Sequence, residues 1–210
     1  MRTAGTTRRF RTDPVPDDLL YRVLDNARFA PNGGNRQGWH VIVVKDAETR
    51  QALHDLYQPS WTAYLQERYS LPPGSRPTPD LPTPLRRSME FAERLYEVPV
   101  HLLVTVDLRA LAVTDRSLPR QSIVGGGSIY PFVQNLLLGL RQEGLGAALT
   151  TLIVPAEPEV KKLLRIPEEH ALAALVAVGY PEGKLPTKLR RKRVEEFTTR
   201  ERFDGPELSS

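Results

Sequence analysis

Residues 27–39, Ala-Arg-Phe-Ala-Pro-Asn-Gly-Gly-Asn-Arg-Gln-Gly-Trp, mark an abrupt change of periodicity. Before them Leu20, Val23, Leu24 and Ala27 recur at helical spacing, the buried stripe of an amphipathic helix opened by Pro16-Asp-Asp. After them His40-Val-Ile-Val-Val-Lys45 is a short β-branched run that predicts a buried strand. A chain with this junction must reverse tightly, and Pro31, Asn32, Gly33, Gly34 and Asn35 supply the turn. Pro31 ends the helix, and the glycines allow positive φ and close approach of a ligand to backbone.

Asn35 and Gln37 add side-chain amides, each with two donors and an acceptor. Such a set suits a planar ligand whose edge alternates carbonyl and N–H groups, as the pyrimidine edge of a flavin does. It is also the composition of an ordinary chain reversal, and Trp39 reads equally as a core or interface anchor.

A chain of 210 residues, 40% hydrophobic, can bury a substantial core as a single domain. With no cysteine it has neither disulfides nor thiolate chemistry. Its four histidines, at 40, 54, 101 and 170, show no metal-ligand spacing, so no metal site is expected. The opening Met1-Arg-Thr-Ala-Gly lacks the apolar core of a signal peptide, and no apolar run approaches a membrane span. These features predict a cytoplasmic protein. Residues 184–203 carry a balance of +5 against +4 for the whole chain. One basic arm beside a nearly neutral body fits phosphate binding at least as well as a nucleic-acid groove, and a nucleic-acid-binding module using that arm is the rival reading.

Further along, Asp46 is a candidate N-cap for a helix to about Tyr57. Trp61, Tyr64, Leu65 and Tyr69 suggest a second, short amphipathic helix. Pro72 to Pro84 hold six prolines, which predicts a loop. Residues 58–90 thus read as a variable insertion, either a plain surface loop or a lid over a site. Helices are expected over 86–95, 129–142 and 159–164, and strands over 101–107, about 144–152 and 172–180. Gly125-Gly-Gly127 lacks the residues of a phosphate loop and serves to bring a helix start close to another segment.

Several motifs recur in an order that resembles the nitroreductase family. They are Arg8-Arg9-Phe10, Asp13-Pro-Val-Pro16, the Ala30-Pro-Asn-Gly-Gly-Asn-x-Gln-x-Trp39 turn, Val133-Gln-Asn-Leu-Leu-Leu138, Gly144-Leu-Gly146, Arg165-Ile-Pro-Glu168 and Ala177-Val-Gly-Tyr-Pro181. The basic arm around Arg190 and Arg191 completes the series, and only about residues 58–90 depart from it. The resemblance implies an α+β fold, a central mixed, mostly antiparallel sheet flanked by helices, in an intertwined homodimer with FMN at the interface. It implies a ping-pong oxidoreductase taking hydride from NAD(P)H and reducing nitroaromatic, quinone or similar small aromatic acceptors, with no catalytic acid or base. Other flavin chemistry on the same fold stays open: dehalogenation, heterocycle oxidation, flavin cleavage, deazaflavin use, or non-catalytic flavin binding.

The resemblance also assigns residues. Arg8 meets the flavin where two-electron reduction places negative charge, and Thr6 offers a hydroxyl. Asn32, Gly33, Asn35 and Gln37 meet the ring edge, the backbone of Leu149, Thr150 and Thr151 lies near the hydride-accepting atom, and Arg190 and Arg191 hold the phosphate. The family often carries an arginine where this chain has Ala4, and Arg2 is a possible substitute. Residues 184–210 form a basic C-terminal arm, extended from Val194 and embracing the partner.

Overall fold

The computed structural model describes residues 1–208; Ser209 and Ser210, the end of the expected arm, lie outside the described residues. Five helices and four strands follow in the order α1 (Asp17–Ala27), β1 (Trp39–Val44), α2 (Ala47–Tyr69), α3 (Thr83–Glu93), β2 (Val100–Asp107), α4 (Tyr130–Gln142), β3 (Gly146–Thr150), α5 (Glu157–Leu164) and β4 (His170–Gly179). The strands form one sheet in the order β1-β2-β4-β3, every neighbouring pair antiparallel. A single parallel bridge from Thr6 to Ala147 makes the sheet mixed at its β3 edge. The architecture is α+β, as expected.

Helices cover both faces. Val100, Leu102, Val104 and Val106 of β2 point to one side and pack with Val23 of α1 and Phe132, Leu136 and Leu140 of α4. Leu103 points to the other, against Leu53, Tyr57 and Trp61 of α2, Met89 of α3 and Val160 of α5. This is the period-two alternation of a strand buried on both faces, so β2 and β4 read as nearly continuous apolar runs. Each fully buried Leu or Val contributes about 1.5–3 kcal/mol. Trp39 stacks on Phe132 at 4.8 Å and is a core anchor on the first side.

The helix expected to stop near Tyr57 and the short one after it are a single 23-residue helix that runs through Pro59. Proline removes one backbone donor and crowds the preceding turn. Here the Thr62 hydroxyl donates to the Gln58 carbonyl at 3.0 Å, and Leu53, Tyr57, Trp61 and Leu65 bury one continuous stripe that outweighs the break. Asp46 caps it, accepting from the Thr49 amide at 2.8 Å. The prolines keep 70–82 out of regular structure, but Pro84 sits in the first turn of α3, where a missing N–H costs nothing. After Val194 the chain is not extended. A short turn and a Thr199–Glu207 bridge fold it back on itself.

His101 on β2 is fully buried. Its Nε2–H donates to the Leu95 carbonyl at 2.9 Å, while Nδ1 has no partner. Burial, with smaller pushes from Arg50 and His54, lowers its pKa to about 4. Because the unfolded chain binds this proton near 6.5, the stability gained by keeping His101 neutral is full above that pH and drains away as pH falls toward 4. The loss amounts to about 3 kcal/mol. Urea unfolding at pH 7 and pH 4.5 should show His101→Leu losing much less on acidification than the parent; equal losses contradict this origin.

Candidate active site

β3 is an edge strand, so beyond Ala147 one side of its backbone carries donors and acceptors without a strand partner. The N-terminal segment meets this edge at Thr6 and Thr7 and then pairs with the residues that follow β4. The Thr7 amide donates to the Ala147 carbonyl at 2.8 Å, and further on Arg11 donates to the Tyr180 carbonyl and Glu182 to that of Arg9. The approach is so close that a Cβ on Gly146 would stand 2.7 Å from Thr7. The N-terminal segment is therefore bound to the sheet.

This lacing turns Arg8 into a cleft of about 460 Å³, within the range of small-molecule sites. It is lined by Thr6 and Arg8, by Leu149, Thr150 and Thr151, by Tyr57, Trp61, Tyr64 and Tyr69 of α2, and by Leu85 and Ser88 of α3. That α2 wall is aromatic: Tyr57 and Trp61 stack at 6.2 Å, Trp61 and Tyr64 stand 5.7 Å apart, and Tyr64 meets Tyr69 edge-on at 5.9 Å. Arg8 is exposed, and among the described residues it makes no ion pair. The adjacent Arg9 instead pairs with Glu90 at 2.8 Å. A second recess of about 360 Å³ beside Arg9 is lined by charges that largely neutralise one another, Arg9 with Glu90 and Arg94 with Glu97. It has the weaker claim to a ligand. Burial pushes the Tyr57 phenol up to about 12, against the opposing pull of the Thr150 hydroxyl and the Arg8 charge.

Five expected residues, Thr6, Arg8, Leu149, Thr150 and Thr151, thus share one cleft. The others lie elsewhere in the chain. Asn32, Gly33, Asn35 and Gln37 form a strained turn with positive φ at Gly34, Asn35 and Gln37. Asn32 Oδ1 accepts from the Gln37 amide at 2.9 Å, Gln37 Nε2 donates to Asn35 Oδ1 at 3.3 Å, and the Gly33 amide donates to Ser128 Oγ at 3.0 Å. The triple glycine thus does deliver the start of α4 to another segment, and that segment is this turn. Nearby, Asp115 is buried and held well below the usual carboxylate range by the Ile123 amide, Ser122 and Arg120, which orders the preceding loop. Arg190 and Arg191 are exposed, on an arm whose Pro186 and Leu189 lie over Gly5. The Arg191 guanidinium donates to the Arg190 carbonyl at 2.8 Å.

Tyr57 is one of the cleft residues that sequence reasoning passed over, with Leu85 and Ser88. Its four-residue spacing to Trp61 carried the signal, but Pro59 between them argued for a break.

The model of the nitroreductase family matches residues 2–180. The chain belongs to the nitroreductase family. It is 30% identical to an NADH dehydrogenase of Thermus thermophilus, over 89% of this chain and 88% of that one. It is 24% identical to a nitrobenzene nitroreductase of Ectopseudomonas oleovorans, over 95% and 94%. The crystal structure of oxidized iodotyrosine deiodinase bound to FMN and 3-iodo-L-tyrosine shares the fold, with TM-score 0.68 and 24% identity over 94% of this chain and 96% of that one. The family match stops short of the basic arm.

Gly146→Val should pry the N-terminal segment from β3, since the new side chain collides with Thr7. Overpacking of this kind costs about 1–3 kcal/mol. Denaturant unfolding should show the loss and limited proteolysis should cut sooner within residues 1–10; a variant matching the parent in both would contradict the lacing.

Proposed function

We propose that this family member is an FMN-dependent oxidoreductase working as a homodimer, reducing nitroaromatic, quinone or related small aromatic acceptors with electrons from NADH or NADPH. The observation that carries the reading is the convergence of Thr6 and Arg8 with Leu149–Thr151 in one aromatic-walled cleft. The donor set fits the group. An unpaired guanidinium, flanking hydroxyls and an open strand edge suit a flat ring with an electron-rich side, and no carboxylate lines the cleft among the described residues.

FMN, when bound, supplies the two-electron chemistry, accepting hydride and passing the electrons on. The chain's task is to bind, orient and neutralise. Arg8 opposes negative charge that develops in the cleft, where low dielectric makes a fixed cation most effective. The backbone of Leu149–Thr151 offers polar groups to a ring edge, and the tyrosine and tryptophan wall keeps water out. The amides of Asn32, Asn35 and Gln37 and the guanidiniums of Arg190 and Arg191 lie outside this cleft, and a second copy brings the turn of one chain to the Arg8 cleft of the other. Two guanidiniums suit a phosphate because each can bind two oxygens at once. Residues 58–90 then serve as a lid through the end of α2 and the start of α3. A cytoplasmic site of action is part of this proposal; no helix among the described residues is long and apolar enough to cross a membrane.

Deiodination of an amino acid, the chemistry named for the structural neighbour, is the weaker reading. An α-ammonium calls for a carboxylate partner, and Glu90 and Glu93 of α3 are paired with Arg9 and Arg76.

Purified protein should be yellow, release one FMN per chain on denaturation, bleach anaerobically with NADH or NADPH, and regain colour with a nitroaromatic or quinone. A colourless protein that takes up no FMN sinks the proposal. Arg191→Ala should weaken FMN retention by about 1.5–3 kcal/mol, the worth of charged hydrogen bonds; unchanged affinity removes Arg191 from the phosphate. Arg8→Ala should lower the reduction potential of the bound flavin, and a potential equal to the parent's removes Arg8 from the ring.

A further inference from the structure

Tyr57, on the aromatic wall of the cleft, is only 2% exposed yet lines the cavity. Along that wall Ser88 is already engaged, donating to the Pro84 carbonyl at 2.9 Å, and Tyr64 packs edge-on against Tyr69 with ring centroids 5.9 Å apart. Thr150 Oγ accepts from the Leu152 amide at 3.2 Å, and its hydroxyl opposes the effect of burial on the Tyr57 phenol. Tyr57 lines the cavity, where an incoming group can accept its proton in a hydrogen bond. The phenol is protonated across neutral pH, as an ordinary tyrosine is, and burial raises its pKa further, to about 12. The ring itself is fixed by stacking on Trp61, so the hydroxyl is held in place rather than free to turn away.

We infer that Tyr57 is a specificity-determining residue whose hydroxyl donates a hydrogen bond to an oxygen of the acceptor, a nitro or quinone oxygen, while the Trp61–Tyr64 wall stacks against the acceptor's ring. This rests on the flavin reading and goes beyond it, because it assigns acceptor recognition to a residue of this chain. Reduction gathers charge on such oxygens, so a donor already aimed at them strengthens as the reaction proceeds. Tyr57 keeps its proton throughout.

The test uses FMN-loaded protein and its Tyr57→Phe variant, which retains the ring and removes the hydroxyl. Nitrobenzene and isopropylbenzene, similar in shape and differing in the acceptor oxygens, are titrated against the absorbance band of the oxidised flavin. Tyr57→Phe should weaken nitrobenzene about 5–10-fold, the loss of one hydrogen bond, and leave isopropylbenzene within about 2-fold. Reoxidation of the reduced protein by a quinone should slow more than reoxidation by ferricyanide, which needs no such contact. Equal weakening of both probes would make Tyr57 a packing residue, and unchanged nitrobenzene binding would remove it from recognition. A shift in FMN affinity or potential with neither probe affected would put the phenol on the cofactor. Any of these overturns the inference while a yellow parent protein leaves the flavin reading standing; a parent that holds no FMN overturns both.

Discussion

The hydrogen bond from the Thr7 amide to the Ala147 carbonyl holds the site side of this molecule together. It bonds a stretch that would otherwise be a basic tail to the free edge of a buried sheet, and Gly146 makes the contact possible by lacking a side chain. From it follow the direction of Arg8, the position of Thr6, and the cleft between the N-terminal segment and α2. A backbone bond at a sheet edge is modest in energy but rigid in geometry. Rigidity is what a cofactor site needs most, since a charge placed loosely cannot be preorganised.

The remaining pieces are arranged around this cleft without entering it. The Asn32–Gln37 turn closes on itself through Asn32 and Ser128, which fixes its amides before any ligand arrives. The arm crosses the N-terminal segment at Gly5 and then carries Arg190 and Arg191 into solvent. Phe29 and Ile123, more than 70% exposed, lie on or near the turn, an apolar surface a monomer has little reason to display. The proposed site, assembled from two copies of the chain, would account for the separation and the exposure together.

Much of this was legible in the residues, and the gaps have physical causes. Periodicity located β1, β2, α4 and β4 within a residue or two, because strands buried on both faces and an apolar helix leave strong local signals. The cap at Asp46 was readable for the same reason. Pro59 misled, since the rule that proline breaks helices is local, whereas the stripe that carries α2 past it is a property of the packed core. The lacing of Thr7 to Ala147 joins residues 140 apart and leaves no local trace beyond a glycine. The resemblance led to Arg8 and to Leu149–Thr151, but Tyr57 became visible only once α2 was seen to continue.

Amide hydrogen exchange with and without FMN tests the central claim most directly. Adding FMN to flavin-free protein should slow exchange in three separate segments together: Thr6–Arg8, the Asn32–Gln37 turn, and Leu149–Leu152. Protection confined to other parts of the chain, or none at all, would contradict a flavin site built on the edge of β3.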